Sequence, residues 1–146
     1  MILNRQRAIR VARRPLELFL RRLQQHLGLG EAGMTICLVS DAEIARMNEA
    51  YRKKAGPTDV LSFPSVRFRK PIGALRMHPA SRYLGDIAIS PATALRNARK
   101  YGRGLSSELR ILMLHGTLHL LGYNHETDRG EMNRVERRLR RRLGLA

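Results

Sequence analysis

LRILMLHGTLHLLGYNH, residues 109–125, is apolar on nearly every side of a helical wheel between Leu109 and Leu121. A helix that is apolar all round is a buried one, so other layers must pack about it. Gly122 then stops it, because glycine enters the left-handed backbone of a helix end without steric cost.

The flanking segments supply those layers. Ser106, Ser107 and Glu108 start the buried helix, and Ser90 with Pro91 opens a helix before it that reaches about Tyr101. After it, a helix from about Thr127 turns Met132, Val135, Leu139 and Leu143 inward and Arg137, Arg138, Arg140, Arg141 and Arg142 outward. Those cations also suit a helix C-terminus, so charge alone does not make this face an RNA contact. Further upstream, MTICLV (34–39), TDVLSFP (58–64) and LGDIAIS (84–90) read as short strands bounded by Gly and Pro. Ser40 and Glu43 form a capping-box pattern that opens a helix through Ile44, Met47 and Tyr51. From Pro15, the residues Leu16, Phe19, Leu20, Leu23 and Leu27 recur at helical spacing up to Gly28. The expectation is one α+β domain over residues 1–146: a small mixed sheet packed with about five helices, one of them central and buried. No repeat, linker or low-complexity segment interrupts it.

A chain of 146 residues buries a core without disulfides, so a bound metal would be a working part and not a staple. Twenty-eight Lys and Arg against twelve Asp and Glu leave a net charge of +16. Such a field attracts polyanions: nucleic acid or a ribosomal particle first, an anionic membrane surface second. Cys37 is the single cysteine, which rules out a disulfide framework and a cysteine-based zinc site and fits a reducing cytoplasm. MILNRQRAIRVARR lacks the apolar core of a secretory signal, and no apolar run approaches the length of a membrane span. The expected location is the cytoplasm, with no membrane partner. Residues 65–83 carry Arg67, Arg69, Lys70, Arg76 and Arg82 with Phe68 and Tyr83 between them. A solvated connector is the stronger reading of this loop; a hold on single-stranded RNA by charge and stacking is the alternative.

His115 and His119 stand four apart, on one face of the buried helix and one turn from each other. A lone histidine there would be read as a satisfied core residue. Two imidazoles in a leucine-rich setting need a partner, since an unpaired buried polar group costs about 1–3 kcal/mol. The turn at Gly122 can bring His125 to the same point. Three neutral imidazoles with an open fourth position describe a catalytic site for one Zn2+. His26 and His78 lie outside this frame and read as ordinary surface or loop residues. The spacing matches the zinc-protease frame H-E-x-x-H-x-x-G-x-x-H, except that Gly116 occupies the position of the glutamate base. Peptide hydrolysis thereby loses its base. Phosphodiester cleavage depends on it less, because a metal and cationic groups stabilise the phosphorane and RNA brings its own 2′-hydroxyl nucleophile.

HGTLHLLGYNH, PTDVLSFP (57–64), LGDIAIS and MNEAYR ending at Arg52 occur together in this order, and on these motifs the chain resembles the YbeY family, the bacterial rRNA-maturation endoribonucleases. The resemblance covers roughly residues 34–136. It implies a single-domain α+β metal-dependent endoribonuclease, a hydrolase of RNA phosphodiester bonds, with zinc on His115, His119 and His125. The implied work is single-strand-specific cleavage in 16S rRNA 3′-end maturation and ribosome quality control. The implied partners are 16S rRNA and the small ribosomal subunit, with ribosomal proteins and assembly GTPases as further candidates. Arg52 corresponds to the family arginine implicated in cleavage, although one arginine among so many also reads as surface charge. Asp59 and Asp86 are strand carboxylates that either orient a ligand histidine or cap turns. The family usually reads GYDH where this chain has Asn124, which accepts a hydrogen bond but carries no charge.

Two other function classes stand beside this one. A non-catalytic, zinc-containing ribosome assembly factor would keep the metal for shape. A metalloprotease is disfavoured by Gly116.

Overall fold

A computed structural model describes residues 1–30, 32–65 and 83–145, and among them lie four strands and five helices. In chain order these are β1 (Ile2–Asn4), α1 (Arg13–His26), β2 (Gly33–Leu38), α2 (Asp41–Arg52), β3 (Val60–Pro64), β4 (Tyr83–Ile89), α3 (Pro91–Tyr101), α4 (Leu105–Leu120) and α5 (Glu131–Arg142). The strands form one sheet in the order β1-β2-β4-β3, with β1, β2 and β4 parallel and β3 antiparallel to β4. The α+β class with a mixed sheet is as expected from the sequence.

Strand alternation sends Met34, Ile36 and Leu38 to one face, where they join Leu16, Phe19 and Leu23 of α1 and Leu109, Met113 and Leu114 of α4 in the main core. The opposite face carries a smaller core of Leu61, Ala88, Val39 and Ile44, the last from α2. Gly85 lets β4 serve both. At φ 140° it follows a register shift that pairs Gly33 with Tyr83 but Met34 with Gly85. Leu84 thereby turns into the same core as Ile87, against simple alternation. A Cβ at Gly85 would collide with the Phe63 carbonyl and approach Ser65 N to 2.9 Å, so glycine is required.

The structure corrects several boundaries. β1 was not anticipated: three residues are too few for a period to show, and its pairing of Ile2 with Ile36 is a tertiary event. α1 begins two residues before Pro15. α4 begins at Leu105 behind Gly104, ahead of the serines read as its start. α5 begins at Glu131, not near Thr127, because Asp128 accepts from the backbone N–H of Gly130 and Met132 and caps the helix there. Ser40 and Ser90 cap α2 and α3 as read, accepting from Glu43 N at 3.1 Å and Thr93 N at 3.2 Å. No helix among the described residues is long and apolar enough to cross a membrane. Arg67, Phe68, Arg69, Lys70, Arg76, His78 and Arg82 lie outside the described residues, and Tyr83 belongs to β4.

Candidate metal centre

Between Glu108 and Leu120, α4 is buried except at Arg110 and along the strip that carries two histidines. Leu109, Ile111, Leu112, Met113, Leu114, Leu118 and Leu120 are enclosed, while His115 and His119 are half-buried along the strip that remains. The helix then closes on itself: Gly122 at φ 98° donates to the carbonyl of His119, and Tyr123 N to that of Leu118. This reversal carries His125 back, and one ligating atom from each of His115, His119 and His125 lies within 4.8 Å of the others. Three histidines so placed can hold a metal ion. Asn124 helps shape the return, its side-chain oxygen accepting from Glu126 N at 3.0 Å. That is a hydrogen-bond role which asparagine fills without charge.

The hydrogen bonds of the rings settle which nitrogens face the centre. Nδ1 of His115 donates to Oε1 of Glu136 at 2.7 Å, and Nδ1 of His119 donates to the carbonyl of Tyr123 at 3.0 Å. Both partners only accept: one is a backbone carbonyl, and the other a carboxylate held below its usual pKa range. Burial works to raise Glu136, but the His115 hydrogen bond and charge, with Arg140 and His119, outweigh it. Each neutral ring therefore bears its proton on Nδ1 and presents a lone pair on Nε2. The two Nε2 atoms stand 3.1 Å apart. Burial, then the charges of His115, His125 and Arg52, depress the pKa of His119, although the Tyr123 carbonyl acts the other way. Protonation of His119 is thus disfavoured, and the two facing Nε2 atoms suit a cation between them.

Gly116 faces away from this centre, into the sheet. Its carbonyl accepts from Ser62 Oγ at 2.9 Å, and a Cβ would lie 2.9 Å from Cγ2 of Ile87 and 3.1 Å from Ser62 Oγ. A glutamate has no room there. The missing base thus follows from a close helix–sheet approach.

Beside the imidazoles opens a cleft of about 290 Å³, walled by Ser62 and Leu61 of β3, Tyr123 and Asn124 of the turn, and Tyr51 and Arg52 at the end of α2. Arg52 Nη2 donates to Glu126 Oε1 at 3.2 Å, an exposed pair next to His125. Tyr51 leans on Phe63 with ring centroids 4.7 Å apart.

Asp59 and Asp86 are not the carboxylates of this centre. Asp59 accepts from Asn97 Nδ2 at 3.2 Å and Asp86 from the Tyr83 hydroxyl, because Asp86 points to the sheet face opposite α4. The orienting acid is Glu136 on α5, which the sequence reading passed over. Its only signal was a carboxylate between Val135 and Leu139 on an inward-facing stripe. His26 ends α1 exposed, apart from the cluster.

Comparison with known proteins agrees in sequence and fold. The chain is 45% identical over 140 residues to the Endoribonuclease YbeY of Solibacter usitatus, spanning 95% of this chain and 85% of that protein. It is 37% identical over 145 residues to that of Koribacter versatilis, spanning 99% and 86%. The solution structure of a Thermotoga maritima protein superposes with a TM-score of 0.63 at 26% identity, covering 98% of this chain and 89% of that one. The family model for Endoribonuclease YbeY matches residues 1–144, a span that takes in all three histidines, Arg52 and Glu136, and the chain belongs to the YbeY family.

Proposed function

We propose that this chain is a zinc-dependent endoribonuclease that cuts single-stranded RNA. Its substrate in this reading is the 3′ region of 16S rRNA on the small ribosomal subunit, in the cytoplasm, where it serves rRNA maturation and ribosome quality control. The observation that carries the reading is the pair of Nε2 lone pairs 3.1 Å apart, joined by His125, in the wall of a cleft that also presents Arg52. The name endoribonuclease borne by the relatives supports the reaction class.

His115, His119 and His125 would hold one zinc ion, which when bound supplies Lewis acidity toward a phosphoryl oxygen. Glu136 and the Tyr123 carbonyl keep the first two rings in the tautomer that a metal needs. Arg52 offers a planar fork that suits phosphate oxygens and stabilises the charge that grows on them as the P–O bond breaks. Glu126 holds this guanidinium at the rim, and an incoming phosphate competes with it. Gly116 supplies no base, and RNA needs none at that position when its own 2′-hydroxyl attacks. A cleft of about 290 Å³ suits one unpaired nucleotide, being at the small end of ligand sites.

The test is cleavage of a labelled single-stranded 16S 3′-end fragment by zinc-reconstituted wild type, His119→Ala and Arg52→Ala, with zinc content measured on each. The expected result is cleavage by wild type only, with zinc retained in Arg52→Ala. Equal cleavage by all three overturns the site, and silence from zinc-loaded wild type on both naked RNA and small subunits favours a non-catalytic assembly factor.

A further inference from the structure

α5 carries six arginines, Arg134, Arg137, Arg138, Arg140, Arg141 and Arg142, against Glu131 and Glu136. One edge of this helix borders the metal centre. Glu136 reaches His115 at 2.7 Å, and Arg140, one turn on, lies 3.8 Å from Glu136. Arg137 and Arg141 each follow these by one position, about 100° further round the helix and away from the buried Met132 and Leu139. Both are exposed. Arg138 and Arg142 lie another step round, on the flank of α5 away from Glu136 and Arg140. Among the described residues no carboxylate forms an ion pair with Arg137, Arg138, Arg141 or Arg142.

Like charges one turn apart repel, and a helix made basic for solubility alone would intersperse both signs. An unbroken row of guanidiniums is instead the arrangement that displaces counterions from a phosphate chain. We infer that RNA engaged at the metal cleft continues along α5, where Arg137 and Arg141 hold its phosphates. The inference rests on the RNA-cleaving function proposed above. RNA suits this edge better than a bilayer does: Met132, Leu139 and Leu143 are spent on the core, so α5 keeps no apolar face to enter lipid, and Glu136 ties the helix to His115 in the cleft wall.

The far pair of arginines provides the control. Arg137→Gln/Arg141→Gln and Arg138→Gln/Arg142→Gln remove the same net charge, so a general field effect would weaken both alike. Binding of a fluorescein-labelled single-stranded 20-mer to the full-length chain is measured by anisotropy across a salt series, after circular dichroism melts establish that both variants fold. Two lost phosphate contacts should lower the log–log salt slope of the near pair by about 1.4, with a distinctly smaller change for the far pair. Equal changes in both, or none in the near pair, overturn the inference while leaving the proposed function standing. Wild type that neither binds nor cuts the RNA overturns both. If the near pair keeps RNA binding but loses sedimentation with phosphatidylserine vesicles, the edge belongs to membranes and the inference fails.

Discussion

Nδ1 of His115 on α4 stands 2.7 Å from Oε1 of Glu136 on α5, so one contact between the last two helices also orients a ring of the candidate metal centre. Docking and metal affinity are therefore coupled through one hydrogen bond, and substitution at Glu136 separates them.

Glu136→Gln keeps an acceptor but loses the charge, and Glu136→Ala loses both. Zinc affinity should fall about 10- to 100-fold in the alanine variant and less in the glutamine variant, as read by competition with a chromophoric chelator. Identical affinity in all three proteins would reduce Glu136 to a helix-docking residue.

Gly116→Ala places a methyl group 2.9 Å from Ile87 Cγ2, in a contact with little room to relax. Overpacking of this kind costs about 1–3 kcal/mol. For a chain of this size each kcal/mol lowers Tm by about 2–4 °C. Urea titration should show the midpoint moving down, and a wild-type midpoint would mean that α4 and the sheet are less closely apposed.

Arg52 and Glu126 pair at the cleft rim, and their substitutions should pull in opposite directions. Loss of a charge-stabilising donor reduces kcat by about 10²- to 10³-fold in general, and Arg52→Ala should do so with zinc content unchanged. Arg52→Lys should rescue only part, since an ammonium lacks the planar fork. Glu126→Gln, by freeing the guanidinium, should lower KM for RNA; a raised KM would show that the pair positions Arg52 and does not restrain it.

Acid should weaken the fold and the metal site together. Burial, with the charge of His115, holds His119 below its ordinary pKa of about 6.5. As pH falls through that value the unfolded chain takes up a proton which the folded chain refuses, so the unfolded state gains. Zinc competes with the same proton and deepens the effect. Differential scanning fluorimetry from pH 7.5 to 5 should show Tm falling in the metal-free protein and falling further in the zinc-loaded one. Glu136 acts in a lower window: its depressed pKa adds stability above the ordinary carboxylate range, which is lost only as pH drops through it. A flat Tm between pH 7 and 5.5 would contradict the role given to His119.

Much of the site was legible as local pattern. His115 and His119 share a helix face by spacing alone, Gly122 marks the reversal, and Ser40 and Ser90 announce their helices through side chains that bond within three residues. Glu136, β1 and the start of α5 were not. Glu136 lies 21 residues from the ring it orients, and Ile2 lies 34 from its partner Ile36; no periodicity within a segment encodes such a meeting. The α5 boundary depends on Asp128 as a cap, in a turn where Thr127 offers an equally familiar start signal.

The sequence by itself determined the α+β class, the buried helix and the three histidines that cluster at its end, because periodicity and spacing are properties of the chain before it folds. Only the tertiary structure decided that Glu136 and not Asp59 or Asp86 orients His115, that Arg52 shares the cleft, and that Gly116 is glycine because the sheet presses against it. Each of those depends on side chains brought together from distant segments, and such proximity exists only once the core has closed.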